Sequence, residues 1–461
     1  MFSLKRQGDF RLQLTRTLTQ PGRHLVELYL FTPHETTLSG RTLSEEQFFH
    51  GALMHRFRLL GLPVQDRASK LDTAFSLISP HYEIMHGAWF FRYQASLDRL
   101  RQQLQGKASA EQLARALRLS QNFAQRLRRG EPQQSKQSRY FRQLDVYFSW
   151  LAEQFLLESM TLEGYDELDD ELKRAALEFI QQERRYRAEH DYLGDFKGPP
   201  TRVWNRMGLY QRLLEYPVVL RQQLIELGAG TRKLVKAAST MLIMSLFTYF
   251  LFNVRDASQK LSFALLMGIA LIYAIRDVLR DDLIDTATRW LRKGKPRWKL
   301  RLLMPYTQKV MAQQLLWLDY RKLGELQRAV REHSGKWATN EERQIVCYRS
   351  RLLLDKAALT QNQIQERLTL DFEPLCALIQ ASHQQLYEWQ EEDGQPPVIQ
   401  AHAIEKQHDY NLLLVSRQPG ETGEIAQRWT LRLSAGGIVR CENKAVPWPD
   451  AESRSRWWRR G

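Results

Sequence analysis

Three aspartates in the run RDDLID, Asp281, Asp282 and Asp285, have a spacing that chemistry can use. Carboxylates at such steps share one side of a helix, and several hard oxygen ligands together can hold magnesium. The metal would in turn bridge a diphosphate, which makes a magnesium-dependent enzyme on a lipid diphosphate one alternative. A site of that kind needs a second acidic cluster facing the first. The nearest, DELDDE with Asp166, Asp169 and Asp170, lacks the spacing. A plainer reading is a solvated row, in which Asp277, Asp281 and Asp285 pair with Arg276, Arg280 and Arg289. No cofactor or metal is expected.

Residues 109–130, SAEQLARALRLSQNFAQRLRRG, carry the rhythm of a DNA-binding helix-turn-helix. Leu113, Ala114 and Leu117 would pack the first helix, Leu119 would fall in the turn, and Ala124 and Leu127 would face the core. Gln121, Asn122, Gln125, Arg126 and Arg128 would then reach bases and phosphates. Arg118 stands where the turn favours glycine, so two amphipathic helices of a helical domain explain the same residues. A membrane-tethered DNA-binding regulator is the second alternative; otherwise nucleic acid is not expected as a partner.

The histidine pairs, His50 with His55, His81 with His86 and His402 with His408, are five or six apart. Two ligands on one helix side need three or four, so these predict no metal centre. Cys347, Cys376 and Cys441 are three and widely spaced, which predicts free thiols. No phosphate-cradling glycine loop, GxSxG or Cys–His pair occurs, and the reading leans towards a non-enzyme.

Two basic, tryptophan-bearing stretches suit an anionic lipid surface. One is RWLRKGKPRWKLR, with Arg289, Arg292, Lys293, Lys295, Arg297, Trp298, Lys299 and Arg301. The other is the terminal SRSRWWRRG, with Arg454, Arg456, Trp457, Trp458, Arg459 and Arg460. The formal net charge of +15 over 461 residues favours acidic partners generally.

The elements that must position these groups are mostly helical by pattern. Tyr140, Leu144, Tyr147, Leu151 and Phe155 line one helix side, and residues 42–228 read as helices. Residues 237–254 and 261–275 are charge-free apolar runs that would rise roughly 27 Å and roughly 22 Å as helices. They predict a transmembrane helical hairpin within 231–275. Arg221, Arg232, Lys233 and Lys236 before it, with Arg276 and Arg280 after it, would hold both termini in the cytoplasm at an inner membrane. Ala264 and Gly268 would let the two spans pack, or join two copies in a homo-oligomer. No apolar segment follows Lys5 and Arg6, so a cleavable secretory signal is not expected.

Residues 9–31 alternate as a β-hairpin, FRLQLTRTL and HLVELYLF about the turn TQPGR. Beyond the hairpin, an exit helix and basic segment cover 276–304, and more helices run to Glu391. HDYNLLLVSR, RWTLRLS and IVRCEN then read as strands, which could complete one sheet with the N-terminal pair. The expected fold class is mainly α with a small antiparallel β component. Residues 1–230 and 305–461 would be cytoplasmic regions on either side of the spans. The expected function is a membrane-anchored adaptor or scaffold that binds protein partners or regulates a membrane process, with membrane lipids also as partners.

Overall fold

The structure, a computed structural model, describes residues 2–33, 38, 42–61, 81–104, 106–132, 135–257, 284, 286–287, 291, 294–304, 309–326, 328–331, 344–359, 362–379, 385–390, 398–420 and 423–444. In chain order its strands are β1 (Ser3–Gln7), β2 (Arg11–Leu18), β3 (Gly22–Phe31), β4 (Leu53–Gly61), β5 (Arg221–Glu226), β6 (Trp298–Leu303), β7 (Val310–Lys322), β8 (Gln344–Leu354), β9 (Asn362–Asp371), β10 (Gln385–Gln390), β11 (Val398–Ala403), β12 (Gln407–Arg417), β13 (Ile425–Ser434) and β14 (Gly437–Lys444). The longer helices are α1 (Glu45–Ala52), α2 (His81–Leu104), α3 (Ala110–Arg129), α4 (Ser135–Met160), α5 (Asp170–Glu189), α6 (Pro200–Glu215) and α7 (Ala229–Ala257).

Two antiparallel sheets face each other. The larger runs β14-β13-β12-β3-β8-β7-β6-β5 and the smaller β1-β2-β9-β4. In β2, Leu12, Leu14, Arg16 and Leu18 are buried while their neighbours are not, the alternation of a strand with one face inward. Central strands of the large sheet are covered on both sides. Val26, Leu28 and Leu30 enter the core between the sheets; Tyr29 and Phe31 join Cys347, Leu413, Val415 and Val330 on the outer side. Double-sided burial is why HLVELYLF reads as a continuous apolar run.

The expected 9–31 hairpin is instead a corner. β2 pairs with β1 and β9, whereas β3 pairs with β8 and β12, so the turn between them carries the chain from one sheet to the other. The pairing of β3 with β12 does place N-terminal and C-terminal strands in one sheet. A second crossing lies at residues 218–226. Leu59 N–H donates to Val218 O and Leu220 N–H to Phe57 O beside β4, after which β5 joins β6 in the large sheet.

Helices α2 to α6 form a bundle on the outer face of the small sheet. The sheet meets it through α2, where a Cβ on Gly61 would lie 3.0 Å from the Ala88 Cβ. A methyl at Gly87 would meet Tyr140 Oη at 2.6 Å and Val218 Cγ1 at 3.0 Å, so glycine is what lets α2 approach α4 and the crossing segment.

The mainly α fold class is therefore corrected: large antiparallel sheets accompany the helices. Helices expected between 305 and 391 are strands β7 to β10. Sequences such as NQIQERLTLD are rich in good helix formers, but pairing with β2 and β4 decides their state. The two-span inner-membrane placement is corrected too. Among the described residues no helix is long and apolar enough to cross a membrane. Helix α7, which holds the first run, has Arg232, Lys233 and Lys236 near its start, Arg255 and Asp256 near its end. Ser239, Thr240, Ser245, Thr248 and Asn253 lie between them. The second run, 261–275, with Ala264 and Gly268, lies outside the described residues. Without two spans, the basic flanks of 231–275 no longer orient the termini.

Candidate functional site

Residues with chemistry gather in three places, and a strand's two-residue period separates the first two. In β9, Glu366 faces the large sheet while Gln365 and Arg367 face the helical bundle.

Between the sheets, Arg16 Nε donates to Glu366 Oε2 at 2.6 Å, both side chains being almost wholly buried. Gln314 Nε2 donates to Ser350 Oγ at 2.6 Å and, at 3.4 Å, to Glu366 Oε1. The Arg16 guanidinium lies 4.8 Å from the Phe2 ring centroid, but its two terminal nitrogens have no hydrogen-bond partner. His55 Nε2 and Tyr348 Oη are 2.8 Å apart. Burial lowers the His55 imidazole to about 4, so it stays neutral at ordinary pH. Nearby, Leu28, Leu53, Val346, Tyr348 and Leu370 line a void of about 10 Å³, room for about one water. This interior can hold strands in register, and a void of that size admits a water rather than a substrate.

Between the small sheet and the bundle, Glu215 at the end of α6 gathers three arginines. Arg56 Nη1 donates to its Oε2 at 3.3 Å and Arg367 Nη1 to its Oε1 at 3.3 Å, while Arg58 Nη1 lies 3.6 Å away. Arg56 and Arg367 are direct cross-strand neighbours, an arrangement that repels unless an anion sits over both. Arg58 is completely buried, donates through Nε to Gln365 Oε1 at 2.6 Å and stacks 4.4 Å from the Phe91 centroid. Its two terminal nitrogens have no hydrogen bond. Burial and then the Arg367 charge lower Arg58 to about 9. Beside this cluster a cleft of about 310 Å³ opens, lined by Arg56, Arg212, Glu215, Tyr216, Val219, Leu220 and Arg221. Such a surface can hold an anion; among the described residues that line it, no nucleophile and general base stand together.

The third place is surface. Leu234, Met241, Leu242, Met244, Tyr249 and Phe252 of α7 are exposed, as are Leu386, Tyr387 and Ile399 on the two-stranded arm β10–β11. Helix α7 leaves the large sheet directly after β5, and Leu227 N–H donates to Arg297 O at 2.8 Å at the base of the excursion.

Of the residues singled out by sequence, Asp281, Asp282 and Asp285 lie outside the described residues. Arg289, Arg292, Lys293 and the 454–460 stretch do so as well. Segment 109–130 is one unbroken helix, α3, with no turn at Leu119. Gln121, Asn122, Gln125 and Arg126 are exposed on it. Arg128 is not free to reach a phosphate. It forms paired hydrogen bonds of 2.8 Å with Glu183, approaches Asp145 at 3.2 Å and lies 3.5 Å from the Tyr186 centroid. Burial disfavours its charge, but the bonds to Glu183 and the nearby Asp145 raise its pKa overall.

Trp298 is buried, stacked on Phe49 with centroids 3.8 Å apart, rather than presented to lipid. Arg297 pairs with Glu45 at 3.2 Å and Glu46 at 3.0 Å, so its charge is matched within the chain. Lys295 is exposed, and Lys299 and Arg301 are half-buried in or beside β6. His50 is exposed, His86 bonds to Tyr82 O, and His402 lies 3.4 Å from Glu388. Among the described residues no three metal-ligating side chains converge. The three cysteines are free.

Arg56 and Arg58 fall within residues 42–228, whose pattern predicts helices, so that pattern does not point to the arginine cluster. The signal that could have found it is the alternation of Arg56 and Arg58 about Phe57 in MHRFRLLG, which places both on one face of a strand. No family model matches the chain, nor does any curated protein or solved structure.

Proposed function

We propose that this chain is a partner-binding adaptor whose recognition element is α7, with no membrane anchor invoked. One observation carries the reading. Leu234, Met241, Leu242, Tyr249 and Phe252 are exposed and follow one another at steps of seven, one, seven and three. With Met244, which is exposed as well, they cover about 160° of the helix circumference, an apolar surface of the kind that normally packs against something. Scattered exposed apolar residues need no explanation, but a contiguous stripe does. A helix that lays exposed apolar side chains into an apolar groove is a recurrent mode of protein recognition. Lys233 and Lys236, exposed at the start of α7, favour a groove edged by acidic side chains, as does the net charge of +15.

A photo-cross-linking amino acid at Leu242 tests the reading, with one at Leu177, exposed on α5, as the control. A discrete cross-linked partner at position 242, absent at 177 and lost when Met241 is changed to lysine, is the expected result. Adducts that do not differ between the two positions would overturn it.

A further inference from the structure

We propose that the cleft at the end of α6 is a binding site for a small phosphate-bearing molecule. Three guanidinium groups, Arg56, Arg212 and Arg221, stand in its wall together with a single carboxylate, Glu215. That carboxylate is already shared by Arg56, Arg58 and Arg367. Within ion-pair distance one carboxylate therefore serves three arginines, with Asp98 acting on Arg58 and Arg367 from further away, before Arg212 and Arg221 are counted. Among the described residues neither Arg212 nor Arg221 has an ion-pair partner, and both are exposed.

The surplus is held in place by the fold rather than by chance on a flexible surface. Arg56 and Arg58 are fixed two apart on β4, Arg367 is fixed opposite Arg56, Arg212 and Glu215 lie in the last turn of α6, and Tyr216 caps it. Arg221 opens β5 immediately after the crossing segment. Behind the wall, the terminal nitrogens of fully buried Arg58 lack hydrogen bonds, and Glu215 at 3.6 Å is shared with two other arginines, so its charge is only partly offset. A planar guanidinium offers a two-pronged donor set that fits phosphate oxygens, and convergent forks bind phosphate better than separate point charges. The volume of about 310 Å³ is at the lower end for small-molecule sites, suited to something of nucleotide size. Tyr216, Val219 and Leu220 supply an apolar and aromatic surface for an organic group attached to the phosphate.

Calorimetric titration of the full chain with adenosine monophosphate and with inorganic phosphate, at physiological salt, is the test. Saturable binding of both probes at one site per chain is expected. The double variant Arg212→Gln, Arg221→Gln should weaken both at least tenfold. Replacing the same pair by lysine, which keeps charge but removes the fork, should fall between. Tyr216→Ala should weaken the nucleotide but not phosphate. Because Arg212, Tyr216 and Arg221 are exposed, these variants keep the thermal transition of the parent. The control Arg115→Gln, Arg126→Gln on the exposed side of α3 should change nothing. Absence of saturable binding, or an equal loss in the α3 control, would overturn the site in favour of diffuse attraction to a basic protein.

Discussion

Glu366 and Arg367 are consecutive in β9, yet each is neutralised in a different interior. Glu366 meets Arg16 at 2.6 Å between the sheets, and Arg367 meets Glu215 at 3.3 Å beneath the helical bundle. One strand thus ties three layers together through alternate side chains.

Removing one partner of the inner pair should be costly. Glu366→Gln leaves the Arg16 guanidinium buried without its anion, which should destabilise the chain by about 3–5 kcal/mol. Replacing both Arg16 and Glu366 with leucine should recover most of that loss, since no charge is then stranded. Urea unfolding of the three variants checks the order.

The outer pair makes a different prediction. Glu215→Gln leaves Arg56, Arg58 and Arg367 facing one another and should loosen the bundle from the small sheet. Limited proteolysis should then cut within α6 or the 218–226 crossing before it cuts the strands. Unchanged cleavage order would mean that apolar contacts such as Ala88 against Gly61 suffice to dock the bundle.

Acid should weaken the fold through His55. Its folded pKa of about 4 lies below the ordinary value near 6.5, so the unfolded chain binds the proton first as pH falls. Stability is therefore full above about 6.5 and declines as pH drops towards 4. One such proton costs about 1.4 kcal/mol per pH unit in that window. His24, also lowered by burial and then by the Arg16 charge, adds in the same direction. Unfolding midpoints at pH 7 and pH 5 should converge in His55→Gln relative to the parent.

On α3 the two arginines near the C-terminus should separate cleanly. Arg128→Ala removes the ion that joins Asp145 of α4 to Glu183 of α5 and should cost about 3–5 kcal/mol. Arg126→Ala, on the exposed side, should stay within about 0.5 kcal/mol of the parent. Thermal melts measure both.

Deleting residues 1–32 removes β3, the strand that separates β12 from β8. Strands β12 to β14 should then lose protease resistance. Persistence of a resistant C-terminal fragment would show that those three strands hold together alone.

The sequence by itself determined the pieces whose pattern is local. Periodic apolar residues placed helices α2 to α6, and alternation in RWTLRLS and RLQLT placed β13 and β2, because a helix or strand face repeats within a few residues. The net charge of +15 and the wide spacing of Cys347, Cys376 and Cys441 are likewise read from the chain alone. Only the tertiary structure decided the rest. Arg16 and Glu366 are 350 residues apart in the chain, Arg58 and Gln365 are 307 apart, and nothing near either announces its partner. Strands β7 to β9 carry residues that favour helices, and pairing with distant neighbours overrode that preference. Exposed or buried, free or paired, an arginine looks the same in sequence; its chemistry was settled by what the fold brought against it.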